Sequence, residues 1–232
     1  MQISKIFHTI SHRHDALEFK IKQFEIKSQV DSLSDIYNFG PVPLSKTNIK
    51  VIDDILQYWQ HICYKEKISF YFRLIEDISD FSKYINESDL EILIADLVKN
   101  AIISIQQSNS TNKCILIKLG KTHGINFIYV YDSGIEFDIN TYLTLGISPS
   151  STHLDCGGTG MGFLNIFDTL NTSKSSLSIS EIGPISEDNY TKSIAIKFDG
   201  LNNFNIYSYR HDLLISDIND SENRIKIDQY LC

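Results

Sequence analysis

At 232 residues the chain has room for one good-sized domain and an accessory element. It is 42% hydrophobic and 22% charged, an ordinary globular balance, and its apolar runs fall well short of the ~20 residues a membrane span needs. The formal net charge of −8 argues against general nucleic-acid binding, because no basic stripe is available to displace counterions from phosphates.

Residues 1 to about 37 read as helix, with Phe7, Ile10, His14, Leu17, Ile21 and Phe24 at alternating spacings of three and four. A short seam of this kind cannot bury itself, so it predicts a partner helix, most simply from a second copy. His8, Ser11, His12, Arg13 and His14 interrupt any apolar core a signal peptide would need, which predicts a cytoplasmic protein or the cytoplasmic part of a larger one. Cys63, Cys114, Cys156 and Cys232 are scattered without a C-x-x-C pair and read as reduced thiols. The run Phe39-Gly40-Pro41-Val42-Pro43 marks a boundary.

Beyond it the pattern predicts a helix over 45–63, with Ile52, Ile55, Leu56, Trp59 and Ile62 on one face, then a strand over 68–75. Ser88-Asp89-Leu90-Glu91 has the form of a capping box and predicts a helix start there. That helix carries the apolar stripe Leu90, Leu93, Ile94, Leu97, Val98, Ala101, Ile102 and Ile105. Strands over 114–119 and 125–131 form a hairpin around Lys121-Thr122-His123-Gly124. A polar stretch over 138–156 leads to a third helix over 162–170, and 175–182, 191–198 and 204–209 read as closing strands. Helices interleaved with antiparallel strands predict a two-layer α/β sandwich. The tail after Arg210 carries no readable pattern.

Three stretches carry chemistry. Asp96 and Asn100 stand one helical turn apart and share a face offset from the apolar stripe. An amide oxygen there is a reasonable protein share for magnesium, which keeps water and phosphate oxygens in its shell. Taken alone, the pair is most simply an ordinary polar helix face. Asp132 ends an apolar strand before Ser133-Gly134, where a carboxylate can accept a hydrogen bond from an adenine amine and Gly134 lets backbone approach a base. Taken alone, Asp-Ser-Gly is turn chemistry. The run Gly157, Gly158, Thr159, Gly160, Met161, Gly162 opens an apolar helix and exposes successive N–H groups at its positive end. It lacks the Gly-Lys-Ser/Thr of a P-loop and the strand and spacing of a dinucleotide fingerprint.

With these three in register, the chain resembles the GHKL (Bergerat-fold) ATP-binding domain of gyrase-type topoisomerases, a heat-shock chaperone, sensor histidine kinases and mismatch-repair ATPases. The likeness spans roughly residues 45–210, with 1–38 as a helical dimerisation and phosphoacceptor segment and 211–232 as a tail. It implies ATP and Mg2+ as cofactors, with Asn100 as the magnesium-binding asparagine of the N box. Asp132 and Gly134 match the adenine-reading G1 box, and Gly158, Thr159, Gly160, Met161 and Gly162 the phosphate loop of the G2 box. The segment 138–156 would be the mobile ATP lid, with His153 in it.

Within that superfamily Arg13-His14-Asp15 resembles the phosphoacceptor of peptide-sensing histidine kinases. The resemblance implies autophosphorylation of His14, with Asp15 orienting the ring and taking its proton, and transfer to a response-regulator receiver domain. His12 competes for the assignment, and Arg210-His211-Asp212 repeats the tripeptide where no such role is expected. Glu136 stands where the G1 box has its second glycine, Glu18 where a phosphatase-supporting residue would be, and Asp96 where the N box has Asn or Glu. Two rival readings stay open: a phosphorelay or dimerisation protein with weak or no nucleotide binding, and an anti-sigma-type serine kinase on the same fold.

Overall fold

The computed structural model describes residues 41–76, 78, 81–137, 142, 162–182 and 189–210, and the strand 225–229. The predicted N-terminal helix and most of the segment between Phe137 and Gly162 lie outside these residues.

Helix α1 (Lys50–Lys65) lays Ile52, Ile55, Leu56 and Trp59 into the core. It begins five residues later than the pattern predicts. The reason is local: Asn48 holds a left-handed φ of 63°, and Thr47 donates to the Asp53 carboxylate from both N–H and Oγ, folding the approach back onto the first turn. Strand β1 (Ser69–Ile75) follows, then a short 3-10 turn at Phe81–Lys83.

Helix α2 (Glu87–Gln107) is the central buried element. Its cap is Asn86 rather than Ser88. The Asn86 side chain accepts from Asp89 N–H at 2.9 Å and donates to the Asp89 carboxylate at 2.8 Å, an N-cap bond reinforced by a side-chain pair two residues before the predicted cap. Leu93, Ile94, Leu97, Val98 and Ile105 are almost wholly buried along it.

Strands β2 (Cys114–Thr122) and β3 (Ile125–Asp132) form the expected hairpin. His123 and Gly124, both at positive φ, make the two-residue turn whose twist suits a hairpin. Helix α3 (Gly162–Ser173) is followed by β4 (Ser176–Glu181), β5 (Lys192–Lys197) and β6 (Phe204–Ser208). Strand β7 (Ile225–Gln229) pairs parallel with β6, an element that the mixed tail sequence did not announce.

The seven described strands form one sheet in the order β1-β2-β3-β5-β4-β6-β7. Strand β5 lies between β3 and β4, antiparallel to both, which brings the end of β3 beside the start of β5. Alternation decides the faces. Ile115, Ile117 and Leu119 of β2 are sealed, whereas Leu116 and Lys118 are half-buried. The sealed face packs on α2, whose neighbours are α1 and α3, giving the two-layer α/β sandwich that the pattern predicts. No described helix is long and apolar enough to cross a membrane.

Candidate functional site: the junction of α2, α3 and the end of β3

Helices α2 and α3 meet at one turn of each. Asp96 is 2% exposed and accepts from Asn165 Nδ2 at 3.4 Å, a long hydrogen bond between two buried side chains. Asn165 lies one turn into α3, so this contact sets the first turn of α3 against the Asp96–Asn100 turn of α2. The Asn100 Nδ2 is buried with no hydrogen-bond partner among the described residues. A Cβ built on Gly162 would lie 3.4 Å from both amide atoms of Asn100. The first residue of α3 is thus bare where it faces an amide nitrogen that the described residues leave without a partner.

The predicted N-box pair and Gly162 are therefore brought together. Gly158, Thr159, Gly160 and Met161 lie outside the described residues, as do His12, His14, Asp15, Cys156 and His153.

Asp132, at the end of β3, is 1% exposed and is tied through Lys192 to Ser104, one turn along α2 from Asn100. Its Oδ1 accepts from Gly134 N–H at 2.9 Å, an Asx-type turn, while Ser133 Oγ accepts from Cys114 N–H at 2.9 Å. The tripeptide is thus a tight turn as well as a buried acid. Burial pushes the Asp132 carboxyl above its ordinary value, against the opposing pull of the Lys192 ammonium and its hydrogen bond and of the Gly134 N–H.

Lys192, which sequence reasoning did not single out, is the direct partner of Asp132 in the β3–β5 register. Its Nζ lies 2.8 Å from Asp132 Oδ1 and 2.6 Å from Ser104 Oγ of α2, and also donates to the Ile135 carbonyl. A side chain at Gly134 would point into α2. A Cβ there would lie 2.2 Å from Ser104 Oγ and 2.6 Å from the Ser104 carbonyl carbon, so the missing side chain is what lets the turn seat on α2.

The next strand continues the row of charge. Lys192 is also in register with Glu181 of β4, whose carboxylate accepts from Arg210 Nε at 2.8 Å, Arg210 Nη2 at 2.5 Å and Tyr142 OH at 2.7 Å, and from Ser208 Oγ. This paired Arg–carboxylate contact is buried on the Glu181 side and reaches across to the Phe137 carbonyl, 2.7 Å from Arg210 Nη2. Burial first, then the Glu181 charge, drives the Tyr142 hydroxyl upward, keeping it a donor. Arg210 thus ties the backbone at Phe137 to Glu181 of β4. Glu136 holds Tyr209 OH rather than opening space, and raises the Tyr209 hydroxyl to about 12.

No family model matches the chain, and no curated protein does either. Among the solved structures it resembles are the following histidine-kinase structures. A nucleotide-free catalytic domain of histidine kinase ThkA is 15% identical, with 66% of this chain and 91% of that one covered at a TM-score of 0.49. A second nucleotide-free form of the same domain is 16% identical, over 64% of this chain and 90% of that one, at 0.47. The mycobacterial sensor histidine kinase MprB is 14% identical, over 64% and 91%, at 0.47. At such values the weight of a functional reading falls on the site itself.

Proposed function

We propose that this chain is the nucleotide-binding catalytic part of a two-component histidine kinase, taking ATP with magnesium. The observation that carries this reading is the buried Asn100 amide nitrogen, without a partner among the described residues, facing the bare first residue of α3. Leaving such a donor unmade costs about 1–3 kcal/mol. A phosphate oxygen would satisfy it, at a helix end already suited to anions. Turned over, the same amide offers its oxygen to a hard cation.

When bound, ATP supplies the γ-phosphoryl group and magnesium offsets its charge. The protein's own part is positional. Asn100 orients the triphosphate, and Asp96, tied to Asn165, fixes the turn that carries Asn100. His14 accepts the phosphoryl group at a ring nitrogen as ADP departs, and Asp15 orients the ring and takes its proton. The group then passes to an aspartate of a response-regulator receiver domain. The N-terminal helix pairs two copies, and the reaction belongs in the cytoplasm. These last roles rest on the Arg13-His14-Asp15 resemblance.

The test is incubation of the full chain with γ-labelled ATP and magnesium, beside His14→Ala. Acid-labile label on the wild type and none on the variant is expected. Label on a partner's serine, or equal label on both proteins, contradicts the assignment.

One observation favours a second reading. The Asp132 carboxylate is held by Lys192, as in a domain that binds nucleotide weakly and serves in dimerisation or phosphorelay. In that case no label appears on any histidine, while the chain still dimerises.

A further inference from the structure

We propose that the outer edge of β1, with the groove beside it, binds an extended acidic segment of a partner protein, which joins the sheet as one more strand.

Strand β1 stands at one end of the sheet: it pairs with β2 and with no other described strand. Outside that ladder its one backbone hydrogen bond among the described residues runs from Ser69 N–H to the Lys113 carbonyl. Half of its N–H and C=O groups thus point away from the sheet, the arrangement to which a peptide strand adds. Beside this edge lies a groove of about 1180 Å³, walled by β1, by residues 41–45 and by the end of α1. Pro41 and Pro43 have no N–H, and the Val42 carbonyl is held by Gln60 Nε2 at 2.7 Å. The 41–45 wall therefore leaves the edge open.

The groove is charged against the rest of the chain. Lys65, Lys67 and Arg73 line it and no Asp or Glu does, in a protein of net charge −8. All three are exposed, and none has a carboxylate partner among the described residues. Glu66, between the two lysines, is bonded instead to Gln106 Nε2 of α2 at 2.9 Å. Arg73 also stands directly beside Lys118 in the β1–β2 register. Like charges side by side in a ladder cost stability, and an anion bound across them offsets that cost.

Alternation sets the chemistry of the incoming strand. Phe70 and Phe72 pack on the core, whereas Tyr71 and Arg73 are exposed. A neighbouring strand places its side chains in the same two rows, so carboxylates belong beside Arg73 and apolar residues beside Phe70 and Phe72. A single-stranded nucleic acid has no row of peptide groups to offer this edge, and its length would carry phosphates past the patch onto an acidic surface. A second copy of β1 would set the same cations against one another.

The experiment titrates an end-capped, fluorescein-labelled peptide of alternating valine and glutamate, matched to the 7 residues of β1, into the full chain and follows anisotropy. Beside it run the peptide with lysine for glutamate, the peptide N-methylated at alternate residues, and oligo(dT). The protein variants are Arg73→Glu and Lys65→Glu, with folding checked by circular dichroism; either one carries the comparison if the other fails to fold. The expected result is saturable binding of the acidic peptide, weakened at least about tenfold by N-methylation and by each folded variant, with no binding of the lysine peptide. No saturable binding overturns the inference. So does equal binding of the lysine or N-methylated peptide, or a folded Arg73→Glu that binds as wild type does. Oligo(dT) that binds more tightly and displaces the peptide assigns the groove to nucleic acid and overturns it too.

Discussion

Asn100 and Gly162 face one another across the α2–α3 junction, and a methyl group added to the glycine would touch both ends of the amide at 3.4 Å. Two consequences follow for nucleotide binding. Gly162→Ala should fold normally, since that distance is ordinary contact, yet weaken Mg-ATP binding about tenfold by filling the approach to Asn100. Equal affinity in the variant would remove Gly162 from the phosphate site.

Asn100→Ala should abolish magnesium-dependent binding without loss of stability. The substitution removes a buried donor that has no partner among the described residues, so no hydrogen bond to them is lost. Thermal unfolding beside a binding titration checks both halves. A large fall in Tm would show that the amide is structural.

Arg210→Met should destabilise the domain by about 3–5 kcal/mol, because Glu181 is fully buried and would lose its cation. Chemical denaturation measures this, and a change below about 1 kcal/mol would mean that Tyr142 and Ser208 suffice to hold the carboxylate.

Asn126 is fully buried on β3, and neither its Oδ1 nor its Nδ2 has a partner among the described residues. Asn126→Leu, of similar shape, should therefore stabilise the fold by about 1–3 kcal/mol. Its neighbours in the strand, Ile128 and Val130, already form an apolar surface. A lower Tm for the variant would show that the amide is satisfied in solution.

Cys63 is sealed in the core, and burial followed by the nearby Glu66 charge raises its thiol from 9.0 to about 12. Its alkylation in the folded protein should be negligible and nearly flat from pH 7 to the ordinary thiol range. The unfolded thiol ionises near 9.0 while the folded one keeps its proton to about 12. This group's contribution to stability is thus present below 9.0 and falls away as pH rises through that window. Site-resolved labelling by mass spectrometry decides; rapid modification of native Cys63 contradicts the burial.

The parts of the fold that were legible in the sequence are those governed by local pattern. The β2–β3 hairpin follows from strand alternation and from His123-Gly124, and α2 from its apolar stripe. The start lies two residues before the Ser88-Asp89-Leu90-Glu91 pattern because Asn86, like Ser88, offers a side-chain oxygen to the N–H three residues on. The structure uses Asn86. Asp96, Asn100 and Gly162 were legible as a set because each sits on a helix turn whose direction the periodicity defines.

Lys192 was illegible for a physical reason. It lies 60 residues from Asp132, and the two meet only because β5 inserts between β3 and β4. Within Thr191-Lys192-Ser193 the lysine reads as a surface residue, and nothing local signals that its ammonium is buried. Arg210 and Glu181 were hidden in the same way, joined across β4 and the end of β6 at a separation of 29 residues. Asn165, within an apolar helix, carried no signal until α3 was seen against Asp96.

The central claim is that Asn100 and the start of α3 complete themselves with a magnesium-bound phosphate. The most direct measurement is calorimetric titration of ATP into the full chain, with magnesium and again with a chelator. The account predicts saturable one-to-one binding with magnesium that vanishes with the chelator and is absent in Asn100→Ala. Binding that is indifferent to magnesium, or that survives in Asn100→Ala, would contradict it.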